Sequence, residues 1–243
     1  MTMRAPSAEL PICFRDVTVE AHGVTILDRI TLALGAGSPT VLIGPNGSGK
    51  TTFLRIAMGL TLPSAGTITW GGRENVAPVR RAIVFQHPVM LRRTAAENLR
   101  YALKVSGRIP REVHDARIAE LLSLVGLSGF GDRPARRMSG GEKQRLALAR
   151  ALARDPVVLF LDEPSASLDP AAAKAVEDVI RAVTARNIKI IMSTHDLGSA
   201  RRLAGDIIFM HHGRVVEAGA ASTFFTAPQS DEAKIFISGD LLV

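Results

Sequence analysis

The chain has 243 residues, 47% of them apolar, which suffices for a hydrophobic core in one large or two small domains and excludes disorder as the main state. Its longest strictly apolar run, Val157 to Leu161, falls far short of the roughly 20 residues of a membrane span, the opening MTMRAPSAELPICF lacks the apolar stretch of a secretory signal, and the single Cys13 allows no internal disulfide or cysteine-rich zinc cluster, so the chain reads as cytoplasmic. Lys and Arg number 30 against 23 Asp and Glu, a net charge of +7, yet the arginines are scattered and only 5% of residues are aromatic, so no nucleic-acid partner is expected and the basic surface is left for solvent, anionic lipid or another protein.

In chain order, Phe14, Val17 and Val19 form a short, imperfectly alternating strand, and Ile30 to Leu34 a second. Thr40 to Ile43 is an unbroken apolar run ending in glycine, the pattern of a central strand buried on both faces. Thr51 to Leu60 reads as a helix with Phe53, Leu54, Ala57, Met58 and Leu60 apolar, and Ile83-Val84-Phe85 closes a further strand. From about residue 94 to 155 the pattern is helical: Ile118, Leu121, Leu122 and Val125 fall at i, i+3, i+4 and i+7, and Gly126 is a natural C-cap. Val157 to Leu161 returns to a buried strand, Ala171 to Val183 to a helix, and Ile188 to Met192 and Ile207 to Met210 to strands, the last turning at His212-Gly213 into Val215-Val216 as a hairpin. Glu177, Asp178 and the Arg201-Arg202 pair read as solvated helix faces. The alternation predicts an α/β fold, a parallel sheet wrapped by helices with a helical insertion between its two halves.

Three motifs carry chemistry. Gly44 to Thr51 reads GPNGSGKT, a G-x-x-x-x-G-K-S/T match lying between an apolar strand and a helix, as the motif requires. In such a loop Gly44, Pro45, Asn46, Gly47, Ser48 and Gly49 let backbone N–H groups converge on phosphate at a helix N-terminus. Lys50 then reaches the β- and γ-phosphates, and Thr51, followed by Thr52, places a hydroxyl on Mg²⁺. Val157 to Glu163, VVLFLDE, delivers two carboxylates at the end of a buried strand: Asp162 to hold Mg²⁺, Glu163 to orient or deprotonate the attacking water. Met138 to Glu142, MSGGE, opens a helix; Ser139 and Glu142 have the spacing of a capping box, while Gly140 and Gly141 cost a helix start stability and mark a second anion site.

This set resembles the nucleotide-binding subunit of ATP-binding cassette (ABC) transporters, over roughly residues 12 to 222. GPNGSGKT is similar to the Walker A loop, Gln86 in VFQHP to the Q-loop, MSGGEKQR to the signature motif, VVLFLDEP to the Walker B strand, Ser167-Leu168-Asp169 to the D-loop and His195 in STHD to the H-loop, all in the family's order. The resemblance implies a P-loop NTPase: a RecA-like core of residues 1–86 and 156–222 with N-terminal antiparallel strands, a helical subdomain over 87–155, and a short tail over 223–243. It also implies ATP and Mg²⁺ as cofactors, Gln86 sensing Mg²⁺, His195 meeting the γ-phosphate, and a head-to-tail homodimer in which Ser139, Gly140 and Gly141 of one copy close over ATP held by the other. Such a cassette sits at the inner face of the membrane on separate permease subunits, in a system that includes a substrate-binding protein. The apolar residues His87-Pro88-Val89-Met90-Leu91 are expected to form a groove for a short helix of the membrane subunit.

His22 stands where the family usually has an aromatic residue to stack on adenine; imidazole offers a smaller π face, and a plain turn histidine is the alternative. Met138 replaces the usual leucine of the signature, a swap that conserves volume, and Ala166-Ser167 inverts the commonest D-loop pattern. The stretch PVMLRRTAAENL, Pro88 to Leu99, and the closing FISGDLLV look similar to subunits of tungstate importers. Phosphate, molybdate and polar amino acids are the alternative cargoes, a soluble ABC ATPase the alternative role, and a small-molecule kinase the alternative class.

Overall fold

The computed structural model describes residues 9–240. The start of the N-terminal stretch read for a secretory signal and the last three residues of FISGDLLV lie outside it. In chain order the elements are β1 (Ile12–Ala21), β2 (Val24–Leu34), β3 (Thr40–Ile43), α1 (Lys50–Met58), β4 (Ala65–Trp70) and β5 (Arg81–Val84). Then come α2 (Ala95–Ser106), α3 (His114–Leu124), α4 (Gly140–Leu152), β6 (Val158–Asp162) and α5 (Pro170–Thr184). The chain continues through β7 (Lys189–Ser193), α6 (Leu197–Leu203), β8 (Asp206–His211), β9 (Arg214–Ala220), α7 (Ala221–Thr226) and α8 (Asp231–Ser238). They divide into two compact units, the described chain up to Val79 with the segment from Lys189 onward, and Arg80–Ile188.

In the first unit β1 pairs antiparallel with β2 and β4, while β3 lies parallel between β7 and β8, and β9 returns antiparallel on β8. Every residue of β3 is buried, as a two-sided strand requires. Helix α1 is fixed from both ends of its apolar face: Phe53 stacks on Phe14 of β1 at 4.8 Å between ring centroids, and the Trp70 indole N–H donates to the Ala57 carbonyl at 2.8 Å. It ends at Met58, two residues earlier than periodicity predicts, because Gly59 turns left-handed and its N–H caps the Arg55 and Ile56 carbonyls. Leu60, outside the helix, is exposed.

In the second unit β5 and β6 form a parallel pair, accompanied by α2 to α5. The predicted stripe of α3 holds, with Ile118, Leu121, Leu122 and Val125 all buried. Helix α5 departs from expectation at one residue. Glu177 is buried, not solvated; it sits between Val176 and Val179 on the apolar stripe and its carboxylate meets Arg181 at 3.5 Å, whereas Asp178 faces outward to Lys174 and Arg181. Arg201 and Arg202 lie exposed on α6 as read.

Candidate functional site

In the first unit the loop from Gly44 to Gly49 runs from the C-terminal end of β3 to the start of α1. Two of its glycines are dictated by space as well as by backbone angle. A Cβ on Gly44 would lie 2.1 Å from the Met210 carbonyl oxygen, and one on Gly49 would lie 2.7 Å from Leu27 Cδ2, with φ at 146° and 96°. Gly49 is also the N-cap of α1, so no side chain caps the helix, and its first turn holds no acidic residue. No cap side chain therefore competes with an anion at this helix N-terminus. Lys50 is buried to 7% exposure, and its ammonium donates back to the carbonyls of Gly44 and Pro45 at 2.8 and 2.9 Å. Ser48 Oγ is buried with no hydrogen-bond partner among the described residues. A desolvated cation, an orphaned hydroxyl and uncapped amides in one loop fit a phosphate chain. Thr51 and Thr52 sit half-buried in the first helical turn.

The parallel register puts His195 at the same edge. Leu42 of β3 aligns with Ser193 of β7, and the Thr194 N–H donates to the Leu42 carbonyl at 3.0 Å, so the exposed His195 follows where the phosphate loop begins. His22 occupies the two-residue β1–β2 turn with Gly23, exposed and at φ 51°, a left-handed position that itself demands a tolerant residue.

In the second unit the ladder of β5 with β6 ends at the pair Val84–Leu161, and Gln86 and Glu163 each follow two residues beyond it. Asp162 is buried at the end of β6, and Glu163 is half-buried at φ 48°, a strained conformation for a residue with a Cβ. Among the described residues no three His, Cys, Asp or Glu side chains cluster as a metal cage.

The signature segment forms the capping box that its spacing predicts: Ser139 Oγ accepts the Glu142 N–H at 3.2 Å and Glu142 accepts the Ser139 N–H at 2.7 Å, and Arg133 reaches the same carboxylate at 3.3 Å. Gly141 also has a packing reason, since a Cβ there would lie 2.7 Å from the Ala172 Cβ of α5. Gly140 has none of this kind; it is exposed, with its nearest neighbour, Leu168 Cδ2, at an ordinary 3.5 Å. The cap takes the Glu142 amide and leaves those of Gly140 and Gly141 outside it.

The same unit carries an apolar cleft of about 450 Å³ lined by residues that include Phe85, Val89, Leu91, Tyr101, Val105 and Arg150. Val89 is 78% exposed and Val105 66%. Met90, expected on the groove beside Leu91, instead points inward and is buried. Arg150 escaped the sequence reading. It is one of 30 basic residues, and only the fold brings its guanidinium to the Val89 carbonyl, at 2.8 Å.

The model of the ABC transporter family matches residues 27–166. The chain belongs to the ABC transporter family. It is 36% identical to the phosphate import ATP-binding protein PstB 2 of Natronomonas pharaonis, over 97% of this chain and 89% of that protein. Against the L-cystine transport system ATP-binding protein TcyN of Escherichia coli K12 it is 37% identical, over 94% and 97%. The sulfate/thiosulfate import ATP-binding protein CysA of Mycobacterium bovis is 39% identical over 89% of this chain, which spans 63% of that longer protein. A dimeric ATP-binding cassette in a post-hydrolysis state, bound to ADP and Pi, superposes with a TM-score of 0.78 at 25% identity, covering 86% of this chain and 98% of that one. The fold is thus that of a P-loop NTPase, and this ABC cassette is an ATP hydrolase coupled to transport, with ATP and Mg²⁺ as its cofactors. No helix among the described residues is long and apolar enough to cross a membrane.

The two signature glycines separate by their packing. Gly141→Val should lower the unfolding free energy by about 1–3 kcal/mol through overpacking against α5, whereas Gly140→Ala should not lower it. Urea denaturation of both variants checks this, and equal losses would remove the packing role assigned to Gly141.

Proposed function

We propose that this chain is the ATP-hydrolysing subunit of an ABC import system, working as a homodimer on separate permease subunits at the inner face of the membrane, with a substrate-binding protein in the same system. The observation that carries the reading is the pairing of one uncapped phosphate loop, Gly44 to Thr52, with one signature helix whose Gly140 and Gly141 amides lie outside its cap. Two copies arranged head to tail would use both on one nucleotide.

In this reading the phosphate loop from Gly44 to Gly49 holds the phosphates together with Lys50, and Ser139, Gly140 and Gly141 of the second copy cover them. Asp162, the Thr51 hydroxyl and Gln86 would each help to hold Mg²⁺, which would supply neutralisation of the phosphate charge. Glu163 accepts a proton from the attacking water, His195 steadies the γ-phosphate, and His22 stacks on the base. Val89 and Leu91 in the cleft receive a short helix of the permease; the exposed apolar surface there supports this.

For the cargo we infer a small anion such as tungstate. The phosphate and sulfate/thiosulfate import proteins among the relatives support an oxyanion, and the likeness of residues 88–99 supports tungstate. That stretch also has folding duties: Thr94 and Glu97 cap α2 reciprocally, and buried Asn98 accepts the Leu91 N–H at 3.1 Å. A polar amino acid is the second reading, supported by the cystine relative. Uptake by the assembled system should favour tungstate over phosphate and cystine; preferential uptake of cystine would reverse the assignment.

Hydrolysis and binding should separate by residue. General bases contribute about 10² to 10⁴ in rate, so Glu163→Gln should cut phosphate release at least 100-fold while the ATP dissociation constant stays near that of the wild type. Lys50→Ala should lose ATP binding itself. A Glu163→Gln protein hydrolysing at the wild-type rate would take Glu163 out of the mechanism.

A further inference from the structure

The signature helix carries a negative charge at the end that the proposed function gives to phosphate. Glu142 stands at the third position of α4, and its carboxylate accepts the Ser139 N–H at 2.7 Å. It is therefore one hydrogen bond from a residue assigned to cover the nucleotide of the second copy. A carboxylate at a helix N-terminus meets the positive end of the helix dipole, as an arriving anion would. As a cap Glu142 serves the fold, and as a charge it opposes a phosphate chain.

Arg133 is placed to cancel that charge. Its Nη1 lies 3.3 Å from Glu142 Oε1, and its guanidinium rests over the Phe130 ring, 4.2 Å from the centroid. The backbone beneath it is held as well. The Arg133 N–H donates to the Phe130 carbonyl at 3.0 Å, and the Arg133 carbonyl accepts the Ala95 N–H, in the first turn of α2, at 2.9 Å. The side chain of Arg133 is 57% exposed and that of Glu142 21%. An ion pair this open to water contributes little to stability, so stability does not account for the arrangement.

We propose that Arg133 is a positioning residue for closure over ATP: by pairing with Glu142 it neutralises the carboxylate of the signature cap, so that the N-terminus of α4 can accept phosphates held by the second copy. The inference rests on the reading that two copies enclose one nucleotide, and it adds a residue outside the signature motif itself. Without Arg133, Glu142 keeps its hydrogen bond to Ser139 and still caps α4. Its charge is then unmet in front of the phosphates, and like charges repel most strongly where closure excludes water.

The test uses the full chain carrying Glu163→Gln, so that slowed hydrolysis preserves the closed state, and reads the dimer dissociation constant at saturating ATP and Mg²⁺ by analytical ultracentrifugation. A Glu163→Gln parent that binds ATP and never dimerises would overturn the two-copy reading and this inference with it. With a parent that dimerises, adding Arg133→Gln should weaken the dimer by about 10-fold or more, most strongly at low salt. ATP affinity of the single chain and the unfolding temperature should stay at the parent's values. Adding Glu142→Gln to that variant should restore the dimer, because glutamine still serves a capping box and brings no charge. A purely structural role for Arg133 predicts no such restoration. An Arg133→Gln protein that dimerises as the parent does, or a loss that Glu142→Gln leaves uncorrected, would overturn the role of Arg133 while leaving the two-copy reading intact.

Discussion

Phosphate charge has to be met by backbone amides that no side chain of the protein has already taken, and the first unit is organised around that constraint. A helix whose N-cap were Ser or Asp would spend a leading amide on itself; Gly49 spends none. The close approach of the loop to the Met210 carbonyl and to Leu27 then excludes any side chain at Gly44 and Gly49. Such a loop has little stability of its own, so its position is borrowed. Helix α1 is held by the Phe14–Phe53 stack and the Trp70–Ala57 hydrogen bond, and β3 is held by parallel neighbours on both sides.

The second unit answers a different need, the delivery of carboxylate and amide chemistry from strand ends. Parallel pairing of β5 with β6 brings the two strand ends together at Val84 and Leu161, two residues before Gln86 and Glu163, and the left-handed backbone at Glu163 and Ser167, at φ 48° and 61°, is strain of the kind that clusters at functional sites. The signature helix is built to be rigid. Ser139 and Glu142 cap it and Gly141 lets α5 approach closely, so its exposed N-terminus is presented at a fixed place, with Gly140 as the residue whose small size packing leaves unexplained.

Much of this was legible in the residues because the motifs pair chemistry with local structure. GPNGSGKT between an apolar strand and a helix has few other meanings, and the stripes of α3 and β3 follow from burial alone. Strand β4 also alternates, with Ile68 and Trp70 inward, but its glycine-bearing start hides it. What the residues do not reveal depends on neighbours distant in sequence. The packing need at Gly141 comes from Ala172, the burial of Glu177 is compensated by Arg181, and the inward turn of Met90 places it in the core while Val89 and Leu91 face the cleft. Arg150 and Arg154, four apart on and just beyond α4, look like any solvated basic pair until the cleft is seen beside them.

The central claim is that the phosphate loop of one copy and the signature helix of another enclose the same nucleotide. Size-exclusion chromatography of Glu163→Gln with saturating ATP and Mg²⁺ tests it most directly, because slowed hydrolysis should trap the closed state. The account predicts a dimer that forms with ATP and dissociates when ATP is removed; a protein that binds ATP yet stays monomeric at saturation would contradict it.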